Sequence, residues 1–428
     1  MKAKKITIII LALVLVFAFA ACGGGGDGGG DGGGGADTQA PPAAEPEKDA
    51  PATEADPSAE PETIKIGHLV CQSGWFAPID VANIDELVTY TGMINDAGGW
   101  DIGGQKYLVE MVDSDFQSDP SQARAAVEYL ADQGIKFVLV STDFMTVGLG
   151  ELWEELGIMH INQMPSEPTY TGPQFPHMFW SRGGVFDGYD AGLQALHEAY
   201  PDAKTVVYVQ EDNGVNQLLN DEFIAPPAEK LGLSVVPTPV MFPNDSTDYA
   251  AVALAAQKTG ADAFIAMGGL PSNAGIAKEL RTLGSDMVGV LANPQNIVAF
   301  SMIAGGATDL ITCGTLAGAD QNTPLFKEIC GNYAEQFGDE SAQSFTANSC
   351  NSLYILLQMM SIAGTTDVDS VMAAWESQDT VDTMYGTGKV GGEQTMGSKR
   401  AVASHPGKCV MKEDGIPVFL GFADTIVP

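Results

Sequence analysis

The sequence predicts an α/β fold built as two doubly wound parallel-sheet lobes, and three observations carry that reading. From Thr63 onward, short apolar runs alternate with longer stretches that are apolar on one helical face. Strands alternating with helices make parallel sheets covered on both faces. The alternation restarts after Trp180, so two such blocks follow one another. The chain has 428 residues and 45% apolar content, enough to bury two cores at roughly 150 residues per domain.

Residues 64–70 read as the first strand. Residues 80–96 read as a helix with Ile84, Leu87, Val88, Thr91 and Ile94 on one face, ended by Gly98-Gly99. Residues 107–112 are strand-like. Asp119-Pro120 opens the next helix, with Asp as N-cap and Pro at the first position. Ala123, Ala126, Val127 and Leu130 line its buried face, and Gly134 closes it. A strand at 137–140, a helix at 145–156 and a strand at 158–161 complete the first block. In the second block strands are expected at 205–209, 235–242, 263–267 and 288–291, and helices at 216–231, 249–258 and 273–283. The last third differs. It offers a strand at 310–316, helices at 324–337, 341–362 and 368–376, then Gly-rich turns and short strands over 390–422.

Residues 1–22 have the pattern of an export signal. Lys2, Lys4 and Lys5 precede a mostly apolar run from Ile6 to Ala20, shorter than the roughly 20 residues a membrane span needs. Ala20-Ala21-Cys22-Gly23 then resembles the bacterial lipobox, in which the cysteine receives a diacylglyceryl group; Phe19 stands where that motif usually has an aliphatic residue. Residues 23–62 are low in complexity, nearly all Gly up to Gly35 and then Pro, Ala, Glu and Asp. They have little to bury and read as a disordered tether. About 40 such residues reach on the order of 30–40 Å.

The formal net charge is -35, from 55 acidic and 20 basic residues, which repels nucleic-acid phosphates. The chain has no CxxC, HExxH or GxSxG motif, and no GxGxxG between a strand and a helix. His68, His160, His177, His197 and His405 are scattered without metal-ligand spacing. No metal, cofactor or catalytic residue is picked out, although many active sites carry no motif and an enzyme is not excluded this way. Asp113 and Asp115 read as turn residues after a strand, and Glu154 and Glu155 as a solvated helix face. Lipidation of Cys22 would leave Cys71, Cys313, Cys330, Cys350 and Cys409, an odd set whose pairing the sequence does not give. One or two disulfides and buried free thiols both fit.

Ligands of open parallel sheets bind beyond the carboxyl ends of the strands. There the chain reads Gln72-Ser73-Gly74-Trp75, then Asn95-Asp96-Ala97-Gly98-Gly99, Asp113-Ser114-Asp115 and Ser118-Asp119-Pro120. This succession resembles the type I periplasmic binding proteins of the leucine/isoleucine/valine-binding family, and the likeness extends more loosely over 63–380. The resemblance implies two α/β lobes joined by three crossovers with ligand between them. It places lobe 1 at 63–180 plus 315–384, and lobe 2 at 181–314 plus 385–428.

The same resemblance implies the candidate contacts. Ser141, Thr142 and Asp143 follow one first-lobe strand, and Met164, Pro165 and Ser166 the next. Thr142 and Ser166 are hydroxyl donors for a carboxylate, or else helix caps and turn formers. Ser73 and Trp75 lie at the mouth, Trp75 as a stacking wall or as packing. Asp187 matches a family aspartate for an α-ammonium group, or caps a helix. Asn213, Gly269 and Asn293 at second-lobe strand tips complete the set. Asn213-Gly214 stands where the family often has Tyr-Gly, and Asn293-Pro294-Gln295 where some members have an acid. These departures point away from a leucine-type ligand, and Asp143 favours a cationic or amide one.

Together these readings imply a non-enzymatic, exported lipoprotein, held at the membrane by Cys22. It would pass a small molecule (an amino acid, amide or small organic acid) to an ABC transporter permease. A sensor lobe for a signalling partner, an exported α/β enzyme and an adhesive lipoprotein are the competing readings.

Overall fold

The computed structural model describes residues 60–423 apart from 75, 144–145, 147, 164, 166–171, 184, 213–219, 221–223, 244–245, 292–296, 316–322, 343–344, 404–405 and 412–416. The export segment, Cys22 and nearly all of the tether lie outside the described residues.

The first stretch of chain is β1 (Glu62–Val70), α1 (Ala77–Asp96), β2 (Trp100–Ile102), β3 (Gln105–Asp115), α2 (Pro120–Asp132), β4 (Phe137–Val140), α3 (Gly150–Leu156), β5 (Met159–Asn162) and β6 (Met178–Trp180). β1 lies parallel to both β3 and β4, and β4, β5 and β6 continue in parallel. The second stretch is α4 (Val185–Ala199), β7 (Thr205–Glu211), α5 (Ala225–Lys230), β8 (Ser234–Val235), β9 (Val240–Phe242), α6 (Ala250–Lys258), β10 (Ala263–Met267), α7 (Leu270–Thr282), β11 (Val288–Leu291), α8 (Ile297–Ala304) and β12 (Ile311–Thr315). Here β7, β10, β11 and β12 are parallel.

The chain then returns to the first sheet. It runs through α9 (Pro324–Phe337), α10 (Asp339–Ala342), α11 (Asn348–Ala363), α12 (Val368–Glu376), β13 (Thr380–Thr383), β14 (Gly386–Gly391), α13 (Glu393–Met396) and β15 (Ala401–Ala403). It crosses back for β16 (Gly407–Met411) and β17 (Pro417–Phe422). The first sheet is ordered β13-β14-β15-β6-β5-β4-β1-β3-β2. The second is ordered β17-β16-β12-β11-β10-β7-β8, with β9 also on β7. The chain thus passes between the sheets three times: after β6, after β12 and after β15.

Each sheet is covered on both faces, which is why its central strands read as unbroken apolar runs. In the first, Ile66, Leu139 and Ile161 pack with Leu87 and Tyr90 of α1 and Leu353 and Leu356 of α11. The opposite face packs Leu69, Val138 and Val140 on Val127 and Leu130 of α2 and on Trp153 of α3. In the second, alternate residues of β7 separate in the same way. Val207 and Val209 join the α6 and α7 side, while Val206 and Tyr208 join Leu193 and Leu196 of α4. Full burial of such side chains stabilises by about 1.5–3 kcal/mol each before the opposing entropy of ordering is subtracted.

The structure departs from the sequence reading at identifiable points. The strand expected at 235–242 is two short ones, because Pro237 and Pro239 carry no N–H for the ladder. Both pieces still lie on β7. The helix expected over 341–362 is α10 and α11, separated before Ala347, whose φ of +57 is left-handed. The helix of 145–156 is described only over Gly150–Leu156, and that of 216–231 only over Ala225–Lys230. The strand of 107–112 extends to Gln105–Asp115 and pairs with β2 through a turn at Gly103-Gly104. β14 and β15 hydrogen-bond into the first sheet, so sheet membership changes between Ala403 and Gly407, later than the boundary read at 384/385. Asp119 caps α2 as expected, accepting from the Ser121 amide.

Candidate functional site

The carboxyl ends of the parallel strands hold the polar chemistry. Asp80, one turn into α1 and 0% exposed, organises the tips of β1 and β4. Its carboxylate accepts the Cys71 amide at 2.9 Å and the Ser141 hydroxyl at 2.7 Å through Oδ2, and Asn83 Nδ2 at 3.2 Å through Oδ1. Burial pushes the Asp80 carboxyl up, and the Cys71 and Ser141 bonds oppose it.

Asp115, at the end of β3, fixes the loop after β1. It accepts Gln72 N at 3.0 Å, Ser73 Oγ at 2.7 Å and Gln117 N at 2.7 Å. Partial burial acts to raise its carboxyl, but the Ser73 hydroxyl and those amides outweigh it and hold it below the usual range. Ser118 donates to Ser73 O at 2.7 Å and accepts Phe76 N at 3.1 Å. Gly74 between them has φ +86, and a Cβ there would lie 2.4 Å from Gln117 O. The loop is therefore closed against β3.

Beyond β4 and β5, buried polar atoms lack partners. Thr142 is 0% exposed, and its Oγ1 has no hydrogen-bond partner among the described residues. The same holds for Asn162 Oδ1 and Gln163 Nε2, each in a residue 1% exposed. Buried polar atoms left this way cost about 1–3 kcal/mol each. Gln163 Oε1 accepts Ser349 Oγ at 2.7 Å.

The first turns of α11 form the wall behind these tips. Ser352 Oγ meets Ser181 Oγ at 2.7 Å, Asn351 Nδ2 donates to Ser181 O at 2.8 Å, and Arg182 donates to Asn348 Oδ1 at 2.8 Å. Glu86 of α1 accepts the amides of Thr346 and Ala347 at 2.8 and 3.0 Å, holding the turn that starts α11. Burial pushes the Glu86 carboxyl up to about 7 against those bonds.

In the second sheet, Glu211 at the end of β7 accepts Gly269 N at 3.0 Å and Ser272 Oγ at 3.0 Å. Asn273 bonds both the amide and the carbonyl of Gly268. The β10 tip and the start of α7 are thereby tied to β7.

The expected site residues are only partly brought together. Ser141, Thr142 and Asp143 lie together after β4, all buried. Ser141 is engaged by Asp80, and Ser73 by Asp115. Gly269 is the N-cap of α7. The backbone of Asp187 lies in α4; its side chain is outside the described part of the structure. Trp75, Met164, Ser166, Asn213 and Asn293 lie outside the described residues. Pro165 is buried. Glu154 is not simply a solvated carboxylate: it binds the ring and the amide of His177. Asp113 faces His68 at 3.0 Å across β3 and β1. Gln163, Ser181 and the polar run 348–352 escaped the sequence reading. Its one signal was five small or polar residues opening an otherwise apolar helix. Among the described residues no group of three His, Cys, Asp or Glu could hold a metal, and no helix is long and apolar enough to cross a membrane.

Two doubly wound sheets joined by three crossovers, with polar strand tips, define the type I binding-protein class. The periplasmic binding protein family profile matches residues 63–405, and the chain belongs to that family. A search of curated proteins finds no match. Solved structures share the fold. The branched-chain amino acid transporter substrate-binding protein LivJ from Streptococcus pneumoniae, in complex with isoleucine, is 18% identical with TM-score 0.66, covering 86% of this chain and 100% of its own. A solute-binding protein of an ABC transporter from Rhodopseudomonas palustris, in complex with 3,4-dihydroxybenzoic acid, is 15% identical with TM-score 0.67, covering 85% and 98%. A fatty acid ABC transporter substrate-binding protein from Thermomonospora curvata is 15% identical with TM-score 0.66, covering 87% and 95%.

Proposed function

We propose that this chain is the extracytoplasmic solute-binding component of an ABC importer, tethered to the membrane through lipidated Cys22. It captures a small polar metabolite, an amino acid or a related amide or organic acid, between its lobes. The lobes close about the three crossovers, and the closed form hands its cargo to the permease. The observation that carries the ligand class is the trio of unfilled buried polar atoms on Thr142, Asn162 and Gln163. Two are donors and one an acceptor, so a ligand offering both oxygens and an N–H or O–H satisfies them. An all-apolar ligand would leave them unpaired at a cost of about 1–3 kcal/mol each.

A thermal-shift screen with amino acids, short amides and small organic acids tests this. A true ligand at 100 times its Kd stabilises by about 2.7 kcal/mol. If only fatty acids raise the melting temperature, the polar assignment fails; if nothing in any class does, the receptor reading fails.

A further inference from the structure

Two of the described cysteines face each other where the chain enters and leaves the second sheet for the last time. β12 and β16 are antiparallel neighbours, and Cys313 on one is paired directly with Cys409 on the other. Both are buried, at 0% and 1% exposure. The thiols share a hydrogen bond, which pushes the Cys313 thiol up and holds the Cys409 thiol below its usual value. Directly opposed antiparallel residues have Cα atoms about 4.5 or 5.5 Å apart, according to the type of pair. Either spacing lies inside the roughly 4.4–6.8 Å that a disulfide spans. The other described thiols have different surroundings. Cys350 Sγ donates to Glu86 O at 3.3 Å, Cys330 Sγ lies 4.0 Å from Ala342 O, and Cys71 bonds with Ser118 and Asp80.

The geometry points to a Cys313–Cys409 disulfide in the mature exported protein. It joins the root of the second crossover to the root of the third, closing a loop that holds the whole return excursion through α9–α13 and β13–β15. Two of the three connections between the lobes would then leave the second sheet from one covalently fixed point, and hinge bending would turn about that point. Because neither sulfur is exposed, the bond forms before β16 seats against β12. The thiolate of one of the two cysteines attacks one sulfur of an oxidant disulfide and releases a thiolate. The other cysteine then loses its proton and attacks the first in the mixed disulfide, releasing the second thiolate. The protein loses two protons and two electrons, and the oxidant, an exported thiol–disulfide oxidoreductase in its disulfide form, becomes a dithiol.

The proposal takes from the function above only the oxidising compartment, so the test supplies its own oxidant. The full chain is refolded in a buffer of reduced and oxidised glutathione, unfolded without reductant, alkylated, and digested for mass spectrometry. The expected result is one linked peptide pair holding Cys313 and Cys409, two hydrogens lighter than the free peptides, with Cys71, Cys330 and Cys350 alkylated. The linked form melts several degrees above the same protein refolded under reductant. Alkylation of both Cys313 and Cys409, or linkage of either to another cysteine, overturns the proposal. Failure to bind a solute leaves it standing, since linkage is read independently of any ligand.

Discussion

The Ser141 hydroxyl donates at 2.7 Å to the carboxylate of Asp80, 61 residues earlier in the chain, and both side chains are fully buried. The bond ties the tip of β4 to the first turns of α1. Through the Cys71 amide it reaches the tip of β1 as well. The residues that come after these tips are those expected to meet a ligand. Of these, Ser141 bonds the acid directly, and Thr142 and Asp143 follow it in the chain.

Asp80→Ala takes the acceptor from three buried donors, the Cys71 amide, the Ser141 hydroxyl and Asn83 Nδ2, and the expected destabilisation is about 2–4 kcal/mol. Asp80→Asn keeps one acceptor oxygen and costs less. Urea unfolding midpoints of the two variants against the parent decide the matter. An Asp80→Ala midpoint equal to the parent's would show the contact to be idle.

Glu86 makes stability fall as pH rises. Its folded pKa, about 7, lies above the 4.5 of an unfolded glutamic acid, so the fold prefers the protonated form. That preference is fully present below pH 4.5 and is lost as pH rises through 7. Integrated from pH 5 to pH 8 it amounts to about 2.5 kcal/mol. Glu86→Gln keeps the carbonyl that accepts the Thr346 and Ala347 amides and removes the titration. Denaturation at both pH values should therefore show a smaller loss in the variant. Parallel losses would refute the assignment.

His160 works in the opposite sense at lower pH. It is stacked on Trp153 with centroids 4.5 Å apart, and neither ring nitrogen has a partner among the described residues. Burial first, then the charges of His177 and Arg400, lower its pKa to about 3 from 6.5. The neutral ring contributes stability that is present above pH 6.5 and lost as pH falls toward 3. The loss between pH 7 and pH 5 is about 2 kcal/mol. His160→Leu conserves volume and abolishes that slope, and the difference is read from unfolding at the two pH values.

The sequence shows its local logic well. The apolar runs of β4, β7 and β10 have both faces buried, and the Asp119-Pro120 cap needs only its neighbours to be recognised. The site is less legible because its bonds are long-range. Glu86 meets Thr346 across 260 residues, and Gln163 meets Ser349 across 186. A buried carboxylate on a helix carries the same letter as a solvated one, as Glu154 shows. The late sheet boundary is hidden for a related reason. Short strands such as β14 and β15 take their allegiance from the neighbour they pair with, and their own residues do not specify it.

Thr142 separates a binding role from a packing role by the sign of two effects. In the free protein its buried hydroxyl has no partner among the described residues, so Thr142→Val, which replaces the oxygen by a methyl group, should raise stability by about 1 kcal/mol. If the hydroxyl is kept for a ligand, the same change should weaken binding about 10-fold, or about 1.4 kcal/mol. A residue that merely packs would give the first effect without the second, and one that caps a turn would lose stability. Unfolding midpoints of the free protein, together with calorimetric titration of whichever solute the screen returns, distinguish the three. Stabilisation with unchanged affinity would remove Thr142 from the site.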